Sequence, residues 1–175
     1  LLEMMIDYLP NPADLNPMVG VDPEGNEVEV KTTDEEPFSA YVFKTIVDPF
    51  LGSINLFKIF SGSIAPGKEI LVNGQVEKVK DLYYFVGKKQ VAVEKLSAGD
   101  IGAITKIPSV ATGMTICDPK RPVTFDIYTA PNPTQYIGIV AATKNDEDKL
   151  STVLAKIMAE DPTVQLQRNV ETSQL

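Results

Sequence analysis

The sequence predicts a mainly β protein, with a closed β-barrel through its middle followed by a partial α+β unit. Three observations predict it. Between residues 38 and 117, short β-rich runs alternate with turn signals at close spacing, the pattern of a sandwich or a barrel. In so short a stretch, closure is the better way to hide sheet edges. Beyond Pro122 the texture changes to one long amphipathic helix with an apolar run on either side.

Taken in order, residues 1–8 read as the end of a helix, with Leu1, Leu2, Met5 and Ile6 on one face. Pro10, Pro12 and Pro17 end it and impose an extended run. Residues 21–36 are polar and acidic, with a turn at Asp22-Pro23-Glu24-Gly25-Asn26. Val28 and Val30 alternate there with charged residues, which fits an edge strand, but a linker or surface loop is the preferred reading. Tyr41, Phe43 and Thr45 then oppose Val42, Lys44 and Ile46 across a strand, and Asp48-Pro49-Phe50-Leu51-Gly52 turns the chain. Phe57 and Ile59 face away from Ile54, Leu56 and Lys58. Ala65-Pro66-Gly67-Lys68 is a further turn. Asn73-Gly74, between two β-rich runs, is the strongest short hairpin signal. Residues 82–86 and 91–94 are separated by Gly87-Lys88-Lys89-Gln90, and Ser97-Ala98-Gly99-Asp100 turns into residues 101–105.

Pro119, Pro122, Pro131 and Pro133 bracket a second boundary. Residues 135–142 read as a strand buried on both faces. Residues 145–160 are the clearest helix: Leu150, Val153, Leu154, Ile157 and Met158 form one apolar stripe. Thr143 or Asn145 can cap it, Asp146, Glu147 and Asp148 suit its first turn, and Asp161-Pro162 stops it. Residues 164–168 look like another strand. A lone strand–helix–strand unit exposes half a core, so the sequence is expected to stop inside a domain. A start at Leu1-Leu2-Glu3, without Met, suits a piece of a longer chain.

Composition narrows the chemistry. Of 175 residues, 43% are hydrophobic and 23% charged, enough apolar material for a core. The apolar runs are strand-sized, well short of the about 20 residues of a membrane-spanning helix, so no membrane partner is expected. A single cysteine, Cys117, excludes an internal disulfide framework and makes a reducing cytoplasm the simplest home. It reads as a small buried hydrophobe. Histidine is absent, which removes Ser-His-Asp triads, histidine acid–base catalysis and histidine metal sites. No glycine-rich phosphate cradle is present. No catalytic, cofactor-binding or metal-binding residues are therefore expected here. A net charge of -8 argues against gripping nucleic acid by bulk electrostatics, while leaving local basic contacts open.

Several segments resemble elongation factor G, a translational GTPase. Asp7-Tyr8-Leu9-Pro10-Asn11-Pro12-Ala13-Asp14 is similar to the segment closing that family's GTPase domain. Pro37-Phe38-Ser39-Ala40, Lys44, Asp48-Pro49-Phe50-Leu51-Gly52 and Phe60-Ser61-Gly62 resemble the opening of its second domain. Ala98-Gly99-Asp100-Ile101-Gly102-Ala103, Thr112-Gly113 and Cys117-Asp118 resemble that domain's closing strands, and Glu160-Asp161-Pro162-Thr163 a helix end in its third. The matches are collinear over almost the whole chain. The resemblance implies residues 1–20 as a GTPase-domain tail and linker, 21–36 as linker or edge strand, 37–121 as the translation-factor domain II barrel, and 122–175 as the first half of a ferredoxin-like domain III. It also implies a parent that binds GTP and magnesium upstream of Leu1, hydrolyses GTP on the ribosome, and contacts small-subunit RNA and protein and its own other domains.

Three departures point to an elongation-factor-G-like paralogue. Ser53 stands where a basic residue is common, residues 84–90 replace a His-containing segment, and Ala141-Ala142 stands where Glu-Pro is common. Ribosomal protection proteins and release-factor relatives share the architecture and remain alternatives. So does, from another class, a free-standing ligand-binding barrel.

For ribosome contact, the resemblance singles out Lys44, Asp48, Pro49, Gly52, Ser53, Lys58, Lys88 and Lys89. Lys88 and Lys89 form a basic hairpin tip that suits a phosphate contact or simple solubility. Lys44 and Lys58 suit the same contact or a solvated strand face. Asp48, Pro49 and Gly52 suit a docking loop or plain turn chemistry. Tyr83, Tyr84 and Phe85 suit packing better than base stacking.

Overall fold

The computed structural model describes residues 1–48, 52–87, 89–141 and 143–167. Its β part begins with a hairpin of β1 (Met18–Val21) and β2 (Glu27–Val30). Eight further strands follow: β3 (Ser39–Asp48), β4 (Gly52–Ser61), β5 (Glu69–Val72), β6 (Gln75–Lys78), β7 (Leu82–Val86), β8 (Lys89–Ala92), β9 (Ile101–Thr105) and β10 (Thr115–Cys117). They form one antiparallel sheet in the order β6-β5-β10-β3-β4-β9-β7-β8.

Alternation along these strands produces the core. In β4, Phe57 and Ile59 are fully buried while Leu56 and Lys58 are half-buried on the other face. Phe57 and Ile59 join Val42, Ile70, Leu82 and Ile104 in one apolar cluster; burying a side chain such as Phe57 contributes about 1.5–3 kcal/mol. Gly102 lets β9 lie against this cluster: a Cβ there would collide with Leu96 and meet the Phe57 ring at 2.9 Å. Asn73 and Gly74 have φ of 46° and 79°, the two left-handed residues of a two-residue hairpin turn, and they join β5 to β6 as the sequence predicts.

The preferred linker reading of residues 21–36 is corrected by β1 and β2. Val30 is only 1% exposed and packs with Tyr41, Cys117, Val123 and Phe125 in a second apolar cluster on the outside of the sheet. Phe60 and Phe125 meet there edge to face at 5.1 Å. The Asp22 carboxylate accepts from the Asn26 backbone and side-chain amides at 2.8 and 3.0 Å, closing the turn. Four-residue strands carry too little alternation to stand out among charged neighbours. The extended run after α1 (Leu2–Tyr8) is also interrupted, by a 3₁₀ turn at Pro12–Asp14 capped by the Asn11 side chain.

The ladder has β6 and β8 as its ends, and no pairing joins these two among the described residues. A bridge between Ile64 and Leu96 ties the loop after β4 to the segment after β8.

The C-terminal part departs most from expectation. Residues 135–141 form no strand, and Tyr136, Ile137 and Val140 are 84%, 79% and 82% exposed. Ala142 lies outside the described residues. Residues 164–167 are likewise irregular, with Arg168 outside the description. A strand needs a neighbour to satisfy its backbone groups, and among the described residues neither segment has one. The helix, which satisfies its own backbone, does form: α2 (Lys144–Glu160), capped by Thr143. Thr143 Oγ1 accepts from the Asp146 N–H at 3.3 Å and donates to the Asp146 carboxylate at 2.7 Å. α2 packs against β3 and buries Leu154, while Val153, Ile157 and Met158 remain 50%, 42% and 37% exposed.

Candidate functional site

The register fixes which candidate residues share a face. Lys44 is paired with Leu56, and Tyr41 with Lys58, across β3 and β4. Directly opposed residues share a face, and so do alternate residues along one strand. Lys44 and Lys58 therefore lie on one outward face, behind which Phe57 and Ile59 form the core. A shift in register between Val42 and Lys44 brings the lysine onto this face. Lys58 continues the row to Ile101 of β9, which is exposed.

Gly52 lies at one end of this face, with Ser53 beside it alternating to the opposite side. Asp48 is paired with Gly52 and Val47 with Ser53; Gly52 has φ of 77° and is exposed. Pro49 lies outside the described residues. Lys106 joins this end, donating its backbone N–H to the Ser53 carbonyl at 3.3 Å. It is exposed and left-handed, with φ of 61°. Sequence reasoning does not find Lys106, because only the β4–β9 pairing carries it from a distant position to Ser53. Inside this end, the Thr112 hydroxyl donates to Thr45, whose hydroxyl donates to the buried Asn55 carbonyl, each at 2.9 Å. These bonds tie the loop before β10 to the β3–β4 ribbon.

Lys89 stands elsewhere. It is paired with Val86, one residue out of phase with Tyr83, which lies beside Ala103 on the Lys44 face. The hairpin tip is also at the far end of β9, roughly 17 Å from Ser53 at about 3.3 Å per residue along a strand. The structure thus brings Lys44, Lys58, Ser53 and Gly52 onto one ribbon, adds Lys106, and separates Lys89. Lys88 lies outside the described residues. Tyr83 and Phe85 are half-buried and Tyr84 more exposed.

Electrostatics distinguish these lysines from the structural ones. Lys68, Lys95 and Arg121 are engaged with Asp118, Asp34 and Glu36. Among the described residues, Lys44, Lys58, Lys89 and Lys106 hold no such partner. An ammonium without a protein carboxylate is available to an anionic ligand. No group of three or more His, Cys, Asp or Glu suited to a metal ion occurs among the described residues. Burial pushes the Cys117 thiol up, away from the reactive thiolate. No helix among the described residues is long and apolar enough to cross a membrane.

With this geometry in view, comparison with known families is decisive. The family model for elongation factor G domain 2 matches residues 37–119. That for elongation factor G domain III matches residues 130–175. The chain belongs to the elongation factor G family. The two matches follow each other in the family's own domain order, and the first coincides with the eight-stranded sheet. A crystal structure of a Thermus thermophilus protein is similar over 99% of this chain, with a TM-score of 0.78 and 25% identity. The chain spans 24% of the length of that protein.

Proposed function

We propose that this chain is the non-catalytic, ribosome-contacting part of a translational GTPase acting in elongation, at the translocation step. The observation that carries the proposal is the outward face of Lys44 and Lys58 with exposed Lys106 at its end, none of them in an ion pair among the described residues, on a chain whose net charge is -8. A local basic face on an acidic protein suits phosphates held at fixed positions better than nonspecific adhesion. The partner is small-subunit RNA, with Asp48, Gly52 and Ser53 at the adjoining strand ends, Pro49 between them in sequence, and Lys88 and Lys89 a separate contact. The sheet wrapped around one apolar cluster supports a closed translation-factor barrel, and α2 supports a ferredoxin-like unit beside it.

GTP and magnesium belong to the parent protein's nucleotide-binding domain, so this segment hydrolyses nothing. Its role is mechanical, coupling that domain to the rest of the factor in the cytoplasm. The departures at Ser53, residues 84–90 and Ala141-Ala142 favour a paralogue over the main translocase.

The test is titration of the purified chain against small ribosomal subunits at several salt concentrations. Each phosphate contact contributes about 0.7–0.9 to the slope of log affinity against log salt. The variant Lys44→Glu/Lys58→Glu/Lys106→Glu is expected to bind at least about tenfold more weakly, with a shallower slope. Equal affinity and slope for the variant would overturn this interface, and GTP turnover by the purified chain would overturn the assignment of catalysis to the parent.

A further inference from the structure

Glu160, the last residue of α2, makes an unusual contact: its Oε1 accepts the backbone N–H of Val47 at 2.7 Å, across 113 residues of sequence. A carboxylate at a helix C-terminus is disfavoured by the helix dipole, and α2 has no basic residue in its last turn to offset it. Something outside the helix must therefore favour this placement. The β3 edge supplies it. β10 pairs with β3 only from Ser39 to Tyr41, and the Val42 contacts with Met114 and Gly113 end that side. From Phe43 to Asp48 this edge of β3 is uncovered by any strand among the described residues. Because the Ser53 carbonyl is turned towards Lys106, the Val47–Ser53 pair is a non-hydrogen-bonded one. Val47 must then present its N–H to the open edge, where Glu160 receives it.

We propose that Glu160 is a positioning residue, a latch that holds the end of α2 against the open β3 edge at Val47, one residue before Asp48. The surroundings suit a latch better than a fused interface. An open cleft of about 510 Å³ runs between Val47 and α2, lined on the helix side by Ser151, Thr152, Ala155, Lys156 and Ala159. Around Val47 the small and cationic side chains of α2 give little apolar adhesion, its buried apolar anchor Leu154 standing six residues before Glu160, so a charge-assisted hydrogen bond, among the stronger kinds, decides where the helix end sits. Releasing it lets α2 swing without breaking any strand pairing. The latch concerns two parts of this chain alone, and stands whatever the barrel binds.

The experiment is residue-resolved amide hydrogen exchange on the full chain and on Glu160→Ala and Glu160→Gln. In E160A the Val47 amide is expected to exchange about tenfold faster, the size of a charge-assisted bond lost, while amides of β4 and β9 keep their rates. E160Q retains an acceptor oxygen and should recover part of the protection. A merely structural role for the side chain would shift the barrel amides together with Val47. Unchanged Val47 exchange in E160A, or a uniform rise across the barrel, would overturn the proposal.

Discussion

Residues 54–59 and 135–140 make an instructive pair. Both are short apolar runs that read as strands, and only the first becomes one. In β4, Phe57 and Ile59 are flanked by β3 and β9, so backbone groups and side chains are satisfied together. Tyr136, Ile137 and Val140 are as apolar, yet they stand in solvent. The difference is the neighbour. Hydrophobic alternation names the face a strand would bury, but a partner strand must accept its hydrogen bonds before burial can follow. A helix escapes this condition, which is why α2 forms in the same region where both flanking runs stay irregular.

The comparison breaks most visibly by truncation on each side. Phe57→Ala leaves a cavity at the centre of the main cluster and is expected to cost about 3–5 kcal/mol. Tyr136→Ala removes an exposed ring and should stay within about 0.5 kcal/mol of the parent chain. Urea unfolding followed by far-UV circular dichroism measures both. Comparable losses at the two positions would mean that residues 135–140 are packed in solution.

A smaller effect sharpens how the sheet is fastened to the strand-free strap before it. Asp34 accepts the Ala98 N–H, the Ser97 hydroxyl and Lys95. Chiefly through the Ala98 and Ser97 bonds, its carboxyl is held below its ordinary value. The unfolded chain therefore takes up this proton at higher pH than the folded one. The contribution is full above the unfolded value, near 4, and is lost as pH falls through the lower folded value. Asp34→Asn should lower stability slightly at neutral pH and flatten the decline below about pH 4. Because the carboxylate is substantially exposed, solvent screening keeps the effect small. Thermal melts of both chains from pH 3 to 7 read it; parallel curves would show that this bond carries no linkage.

What is legible in the sequence follows the same division. The turns at Asn73-Gly74 and Ser97-Ala98-Gly99-Asp100, and the limits of α2, depend on local chemistry and stand where residue types place them. The hairpin of β1 and β2 is hidden because its burial depends on Val123 and Phe125, far along the chain from Val30. Lys44 and Lys58 are legible as strand lysines. That they share a face requires the register shift after Val42, which no periodicity records. Lys106 enters through a cross-strand bond, and Glu160 through a contact between two parts of the chain that sequence alone keeps apart.

The central contrast, a paired β body beside a C-terminal region whose described residues form a helix but no strand, is tested most directly by mapping hydrogen exchange over every amide of the intact chain. The account predicts that β4, β9 and the strand-paired amides of β3 exchange only through global unfolding, that α2 and the Val47 amide it covers exchange faster, and that residues 135–141 exchange at nearly the rate of free peptide. Protection of 135–141 equal to that of β4 would contradict it.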